Sequence, residues 1–522
     1  MVTADTLSGD DRLSARPSAT LRMAAAMSVL TGAARRRLAG RYAALVLAIV
    51  TGLWIVHFSK LVHLRNAHFN AFDFDMGIYA QAVWLLAHGR HFMTVRGLPV
   101  FGSHVNVLLY AFVPLSWLGL ASPTVMSVIQ VISLGLGTVP IYLIAHRRTG
   151  NPWIGTVLGI AYLAHPSTQW ISWELFHPDA MAILPLLFAF YFMTEKRWRP
   201  FAACIVVAML WKEDVAITAF MLGVVLLVQG HRKIAVRTMA GAALWFVIAT
   251  QIIIPRSLGG SQPFYADGFY GDLGTSSSQI VKNAIVHPGR VYEHLDNANA
   301  ARYATQLGTP YAFLPYASPM FLIGVPNSII NLLSTEAFVW DDHFHYIALP
   351  LFATTVSMIE AVGFIHRRRR DAAVFAVAAV LGCAMLTTGQ RGLSKLAVDY
   401  AGGIWPLEVG SEQEAREAVV EQTPKRAAVS ATLHLVPPLS QRAEIYTFPN
   451  PWQPVNWGVS TSTTRDPGGI DTLAIDVNDL GAARSIYECL IDTGVFRIEY
   501  ERDGIVFATR APGVADTCAP PR

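Results

Sequence analysis

Long apolar segments separated by short basic clusters dominate this sequence. The first apolar segment, 43–61, follows an Arg-rich stretch at 35–41, and further basic clusters follow later apolar segments. These clusters are "HRRTG" (146–150), "EKRWR" (195–199), "GHRK" (230–233) and "HRRRR" (366–370). A helix needs about 20 apolar residues to cross a bilayer, and Lys and Arg concentrate in cytoplasmic loops. The pattern therefore predicts a polytopic α-helical membrane protein with a cytoplasmic N-terminus.

Composition supports this class and divides the chain. The sequence is 53% hydrophobic and 15% charged, whereas a soluble domain has roughly 25% charged residues. From Arg391 onward there are 12 Lys and Arg against 17 Asp and Glu, while the rest of the chain has 28 against 19. We predict a disordered cytoplasmic tail at 1–40 and a transmembrane domain at 41–390 with outer loops at 62–121 and 255–307. An extracytoplasmic domain is predicted at 391–522.

One segment leaves the number of crossings open. The apolar stretch "FLPYASPMFLIGVPNSIINLLS" (313–334) is interrupted by prolines, so that it forms either two short membrane helices or a re-entrant hairpin. The total is about 9–11 crossings at the usual helix length. Either number places the C-terminal domain outside.

The acidic C-terminal part has the pattern of a small α/β domain. "AAVSAT", "EIYTFP" and "TLAIDV" indicate strands, "EQEAREAVVEQ" a helix, and "DLGAARSIYECLID" a helix capped by Asp479. "FRIEYERDGIVFATR" predicts a hairpin turning at Asp-Gly. Cys489 and Cys518 form a disulfide or remain two free thiols. The chain has no P-loop and no G-x-G-x-x-G motif, so we expect no nucleotide site and no nucleic-acid partner.

The stretch "HFNAFDFDMGIYAQ" (68–81) places two acids directly after the first span. In an extended segment Asp73 and Asp75 would point the same way, so both carboxylates could serve one site. One carboxylate could then act as a general base, and the other could bind a metal or a hydroxyl. The alternative is that either aspartate caps the helix that starts near Met76.

Three further clusters carry candidate binding residues. "WELFHPD" offers Glu174 and His177, although Pro178 and Asp179 also suit a helix start there. "WKED" places Lys212 and Glu213 where a short apolar segment cannot cross alone, and ionisable groups at membrane depth usually pair or face a cavity. "DDHFHY" (341–346) groups metal-capable side chains, but one such cluster is weak evidence for a metal. No metal site is assigned from the sequence.

The motifs and their order resemble a known family. The matching stretches are "DMGIYAQAVW" (75–84), "FHPDAMAILPL" (176–186), "KEDVAI" (212–217), "HYIALPLF" (345–352) and "LVPPLSQRAEIYTFP" (435–449). They resemble the bacterial predicted membrane proteins of domain of unknown function 2079, which are grouped with the C-type glycosyltransferase superfamily. "SHVNVLL" departs from that family, which tends to have Ser-Pro after the histidine matching His104.

The resemblance implies a bacterial plasma-membrane enzyme that transfers a sugar from a polyprenyl-phosphate donor to an outer acceptor. It picks out Asp75 as the catalytic residue, and we expect Asp73 beside it to assist. The candidate substrate contacts are His104, Glu174, His177, Lys212, Glu213, His345 and Tyr346, of which the resemblance picks out His345 and Tyr346. Membrane lipid and a cell-envelope glycan or protein acceptor are the expected partners, and no cofactor is certain, with a divalent cation left open. The alternatives are a transporter or flippase, and a non-catalytic scaffold of envelope assembly.

Overall fold

Helices account for most of the structure. The computed structural model describes residues 19–260, 268–295, 298–393, 410–455 and 466–518, without the side chains of 19–37, 73, 277, 278 and 298. The protein is a polytopic helical bundle that carries a small α/β region near its C-terminus. In chain order the helices up to residue 391 are α1 (Ala19–Ala67), α2 (Ile78–Ala87), α3 (Val113–Trp117), α4 (Pro123–Leu136), α5 (Thr138–Thr149), α6 (Pro152–Ala164), α7 (Pro166–Trp173), α8 (Pro178–Thr194), α9 (Trp198–Met209), α10 (Val215–Val228), α11 (Arg232–Val247), α12 (Ile254–Ser257), α13 (Ser277–Val286), α14 (Pro288–Leu295), α15 (Ala298–Gly308), α16 (Val325–Leu332), α17 (Ala348–Arg368) and α18 (Arg370–Arg391).

The structure adds detail to two predicted segments. The N-terminal tail was expected to be disordered to residue 40, but α1 begins at Ala19 and continues without a break into the first apolar segment. The stretch 255–307, predicted as an outer loop, contains α13 and α14 and most of α15. The proline-rich stretch after α15 forms 3₁₀ turns over Thr309–Tyr311, Leu314–Ala317 and Pro319–Ile323. Prolines lack the amide hydrogen that a regular helix needs.

The long apolar helices differ in how deeply they are buried. Within the described residues, five helical segments are long and apolar enough to cross a membrane: Leu38–Ala67, Pro123–Thr149, Arg232–Ser257, Ala337–Arg368 and Arg370–Arg391. In the most apolar window of the segment containing α17, 89% of the residues are buried, against 17% in that containing α11. The segment with α17 is therefore the centre of the bundle. The apolar surface that α1 and α11 leave exposed is the surface expected where helices face lipid.

The two ends of the bundle differ in their charges. At one end, Arg148 on α5 pairs with Glu360 on α17 at 2.6 Å, and Arg147 pairs with Glu195 after α8 at 2.8 Å. The basic clusters of the sequence thus meet at a common end. The opposite end contains the α7–α8 and α9–α10 connections and the start of α17, where buried acidic, basic and imidazole side chains meet.

The C-terminal region forms a five-stranded mixed sheet. Its strands are β3 (Val429–Ala431), β4 (Ile445–Thr447), β5 (Thr472–Asp476), β6 (Phe496–Arg502) and β7 (Ile505–Arg510), after the short pair β1 (Phe92–Met93) and β2 (Leu98–Pro99) in the bundle. The order is β4-β3-β5-β7-β6, with β3 parallel to both neighbours and β7 antiparallel to β5 and β6. The helices of this region are α19 (Ser411–Gln422), α20 (Val436–Leu439) and α21 (Arg484–Asp492).

The expected strands and hairpin of this region are found, but the helix expected to begin after Asp479 begins later in the chain. Asp503 and Gly504 both have positive φ, +53° and +79°, as a two-residue hairpin turn of type I′ requires. Asp479 does not cap the following helix as expected: it belongs to the 3₁₀ turn Val477–Asp479, and α21 begins only at Arg484. Cys489 and Cys518 are joined in a disulfide.

A buried threonine, Thr94, forms one of the contacts between the C-terminal sheet and the bundle. The Thr94 hydroxyl donates to the Ile445 carbonyl (2.7 Å) and accepts from the Ile445 amide (2.9 Å), and Gln81 Nε2 donates to the same hydroxyl (2.8 Å). Thr94 thereby covers the edge strand β4, whose backbone would otherwise lack partners on that side. Beside it, a Cβ at Gly77 would come within 2.9 Å of Val436, so the segment before α2 and the sheet region are in close contact.

We expect Thr94→Val to loosen this junction. The change keeps the side-chain shape but leaves the buried amide and carbonyl of Ile445 without the hydroxyl, which costs about 1–3 kcal/mol. The thermal unfolding midpoint should fall, and limited proteolysis should cut between bundle and sheet sooner. Thr94→Ser, which retains the hydroxyl, is the control, and equal losses in both variants would contradict the hydrogen-bond account.

Candidate active site

A cavity of about 520 Å³ opens at the end of the bundle opposite the basic clusters. It lies between the segment before α2, the α7–α8 connection and the segment before α17. The predicted site residues Asp75, His104, Glu174, His177, His345 and Tyr346 line it. Lys212 and Glu213 lie behind its wall, against Tyr346 and His104 respectively. We call this the central cavity; it brings together residues from distant parts of the chain.

Asp75 reaches the cavity from a π-helical turn. The turn covers Asp73–Gly77, so the extended geometry assumed for the two aspartates is wrong, and the side chain of Asp73 lies outside the described residues. The helix-capping alternative also fails for Asp75, because α2 has Gly77 as its N-cap and no side-chain cap. The Asp75 side chain is 37% exposed, and its Oδ1 lies 3.4 Å from His177 Nε2. Asp75 therefore faces an imidazole and the cavity.

The protonation of His177 follows from its two neighbours. Its Nδ1 lies 2.6 Å from the Leu175 carbonyl, which can only accept, so Nδ1 bears a proton. Its Nε2 faces the Asp75 carboxylate, and a second proton there makes the contact attractive. Burial lowers the pKa of His177, but the carboxylates of Glu174 and Asp75 outweigh burial and raise the pKa to about 9. Burial likewise raises the pKa of Asp75, but the His177 charge outweighs it and holds the pKa below its usual value.

A second imidazole extends this arrangement. The rings of His177 and His345 stack with centroids 3.5 Å apart, and His345 Nδ1 donates to Glu174 Oε1 at 2.9 Å. Atoms of Glu174, His177 and His345 lie within 4.8 Å of one another, and Glu174 Oε2 is buried without a hydrogen-bond partner among the described residues. Two imidazoles and a carboxylate are a ligand set that divalent transition metals accept. These three residues would hold a cation in the central cavity only if His177 released its Nε2 proton, because a metal binds the neutral imidazole.

The charged side chains of the "WKED" segment, at the α9–α10 connection, have two different sets of partners. Lys212 Nζ lies 3.1 Å from Asp179 Oδ2 and 3.3 Å from Asp214 Oδ2. Glu213 turns the other way and accepts from His104 Nδ1 at 2.7 Å and from the Val105 amide at 2.9 Å. The buried lysine is thus neutralised by carboxylates, while Glu213 fixes the loop that carries His104.

Two cavity residues were missed in the sequence. Arg96 is 7% exposed, lines the cavity and stacks its guanidinium over Phe74 at 4.6 Å. Tyr79 also lines the cavity and packs edge-on against His177, with centroids 6.0 Å apart. The available signal for Arg96 was that it is the only charged residue of the otherwise largely apolar stretch 92–101. Tyr79 lies one helical turn after Asp75, and that spacing was its signal.

The protonated His177 should make stability depend on pH. Its pKa of about 9 in the folded state exceeds the unfolded value of about 6.5. The resulting stabilisation, on the order of 3 kcal/mol, is complete below the unfolded pKa and is lost as pH rises through 9. We expect the unfolding midpoint in detergent to fall more between pH 7 and 10 for the wild type than for His177→Gln. Parallel pH profiles would rule out a protonated His177.

Fold and site together define a polytopic helical membrane protein with a polar cavity at one end of its bundle. The chain belongs to the predicted membrane protein family DUF2079, which matches residues 65–507, as its motifs indicated. It is similar to the crystal structure of ArnT from Cupriavidus metallidurans bound to undecaprenyl phosphate, with 12% identity, 90% of this chain and 99% of that chain covered, and a TM-score of 0.47. The apo state of ArnT gives 13% identity, 93% and 100% coverage, and a TM-score of 0.49. None of the curated proteins matches the chain.

Proposed function

We propose that the protein transfers a sugar from a polyprenyl-phosphate donor to an acceptor hydroxyl in the central cavity. The observation that carries the proposal is the Asp75 carboxylate, which is partly exposed to the cavity and held ionised beside His177. Asp75 would take the proton of the acceptor hydroxyl while its oxygen attacks the anomeric carbon. The bond from that carbon to the phosphate oxygen breaks, the phosphate leaves with the electron pair, and the configuration inverts.

The leaving phosphate needs positive charge near the cavity. Preorganised cations at the place where negative charge develops are a main source of catalysis. Arg96 lines the cavity directly, and the protonated His177 lies beside Asp75. Lys212, expected as a phosphate ligand, already contacts two carboxylates. In this proposal Arg96 binds the phosphate. Lys212 has a positioning role: it holds Asp179 in place by an ion pair and Tyr346 by its contact with the ring.

The surroundings of the cavity suit a lipid-linked donor. Phe74, Ile78, Met93 and Phe344 contribute an apolar part of its lining, where the first prenyl units could lie. By the charge rule the cavity end is extracytoplasmic and the basic end cytoplasmic, in a bacterial plasma membrane. The disulfide between Cys489 and Cys518 agrees with this orientation, because such bonds persist in oxidising compartments. The acceptor is then an envelope glycan or protein.

A transporter or flippase is the second candidate. The buried ion pairs of Lys212 with Asp179 and Asp214 and the 3₁₀ turns between Thr309 and Ile323 favour it, since buried charges and discontinuous helices mark transport sites. A scaffold would retain the same fold without either activity.

One experiment separates these functions. The purified protein is placed in lipid vesicles with a panel of labelled polyprenyl-phosphate sugars and crude envelope acceptor. A transferase releases polyprenyl phosphate and labels the acceptor. A flippase moves the intact donor across the bilayer without breaking the bond. If neither occurs with any donor, the transferase proposal fails, and the scaffold alternative remains.

A further inference from the structure

A second cavity of about 570 Å³ lies on the other side of the wall formed by the segment before α17. Its lining includes Trp170, Arg302, Gln306, His343, Gln390 and Arg391. The segment "DDHFHY" serves both cavities: His343 lines the second cavity, whereas Phe344, His345 and Tyr346 line the central one. The proposed transferase makes no use of the second cavity.

Three consecutive side chains converge at this wall. Asp341 Oδ1 lies 2.5 Å from His343 Nδ1, and Asp342 Oδ1 lies 3.6 Å from the same nitrogen. All three ligand atoms fall within 4.8 Å of one another. The outer oxygens are fixed separately, with Asp342 Oδ2 accepting from Arg391 at 3.0 Å and Asp341 Oδ2 lying 3.5 Å from Arg302. Asp341 Oδ1 also accepts from the His343 amide at 3.0 Å. Asp342 is thus anchored through one oxygen, while its other oxygen points towards the imidazole.

Two buried polar atoms beside the second cavity lack partners. Among the described residues, Asp342 Oδ1 and Gln306 Oε1 accept no hydrogen bond, although Asp342 is fully buried and Gln306 is 6% exposed. An unsatisfied buried acceptor costs about 1–3 kcal/mol, and both atoms here are acceptors. Asp342 Oδ1, which belongs to the cluster, therefore requires a donor or a cation.

We propose that Asp341, Asp342 and His343 form a divalent-cation site that opens into the second cavity. The imidazole favours Zn²⁺ and the two carboxylates also suit the harder Mn²⁺, whereas Mg²⁺ and Ca²⁺ prefer oxygen ligands alone. The carboxylates of Asp341 and Asp342 are balanced by Arg302 and Arg391, so the cation adds net positive charge. The open coordination positions would then take water or an anionic ligand from the cavity.

The site is accessible without unfolding. The side chains of Asp341 and His343 are 24% and 34% exposed, and His343 lines the second cavity, so a hydrated cation can reach the site through His343. The Trp170 ring packs edge-on against His343 with centroids 4.3 Å apart, and this contact holds the imidazole in place. Such outer contacts orient the ligands of metal sites.

The test is equilibrium dialysis of the purified full-length protein against Zn²⁺ and, separately, Mn²⁺, with bound metal counted by mass spectrometry. Asp342→Asn and His343→Gln should each lower the metal affinity of one saturable site by about 100-fold or more relative to the wild type. Each removes a metal ligand, and loss of even a contact to a ligand lowers metal affinity by about 10–100-fold. Glu174→Gln, in the cluster of the central cavity, should leave this site intact.

Three results would overturn the proposal. The first is that the wild type shows no saturable binding of either cation. The second is that His343→Gln binds as the wild type does. The third is that Glu174→Gln removes all binding, which would assign the metal to the central cavity. Asp342→Asn also disturbs the pairing with Arg391 and can impair folding. If that variant unfolds, the result for His343→Gln decides the test. Metal binding is measured without turnover, so a failed transfer assay leaves this test unaffected.

Discussion

Asp75→Asn should lower kcat for sugar transfer by about 10²–10⁴-fold. Asparagine has nearly the shape of aspartate but cannot accept a proton from the acceptor hydroxyl. Since Asp75 makes no cap to α2, and its ion pair among the described residues is the 3.4 Å contact with His177, the change should leave the fold intact. Donor binding, measured with non-reacting polyprenyl phosphate, should change by less than about threefold because the phosphate contacts remain.

The matched control for this prediction is Asp272→Asn. Asp272 also pairs with a histidine, His294, at 2.7 Å, but it does not line the central cavity. Its variant should keep wild-type turnover. Asp73→Asn completes the series. If it lowers kcat more than Asp75→Asn does, Asp73 is the general base. Equal turnover by Asp75→Asn and the wild type would remove Asp75 from the mechanism.

Lys212→Met should destabilise the protein by about 3–5 kcal/mol. The methionine fills a similar volume, but it leaves the carboxylates of Asp179 and Asp214 without their cation. The expected observation is a large fall in the unfolding midpoint in detergent and poor recovery from membranes. Lys282→Met, at an exposed position of α13, should be neutral.

A double variant separates the structural role of Lys212 from phosphate binding. Lys212→Met with Asp179→Asn removes both charges of the closest pair, so much of the lost stability should return. If Lys212 also bound the donor phosphate, the restored protein would still bind polyprenyl phosphate weakly. A stable Lys212→Met single variant with weak donor binding would contradict the structural role and support the original sequence prediction.

Much of the fold could be predicted because it depends on local patterns. Apolar length, basic clusters and the Asp-Gly turn each act within a short stretch of chain, so the spans and the β6–β7 hairpin follow from the sequence. The start of α1 at Ala19 and the late start of α21 did not follow, because helix ends depend on small local energies. The π-helical turn at Asp73–Gly77 likewise has no simple sequence signal.

The site could be predicted as a set of residues but not as a set of contacts. Charged and imidazole groups are conspicuous in apolar surroundings, so Asp75, His177, Lys212 and His345 could be named. Which of them pair depends on how separate helices pack. Lys212 contacts Asp179 and its sequence neighbour Asp214, and a single sequence contains no information on the contact with Asp179. Arg96 was missed although it lies between Asp75 and His104 in the sequence, because no local pattern indicates that its side chain reaches the cavity.

The most direct test of the central claim is the release of polyprenyl phosphate from labelled polyprenyl-phosphate sugars by the purified protein in vesicles, with acceptor present. The account predicts that one donor of the panel is converted by the wild type, that label appears in the acceptor with inverted anomeric configuration, and that Asp75→Asn gives almost none. Conversion of no donor, or equal conversion by Asp75→Asn, would contradict it.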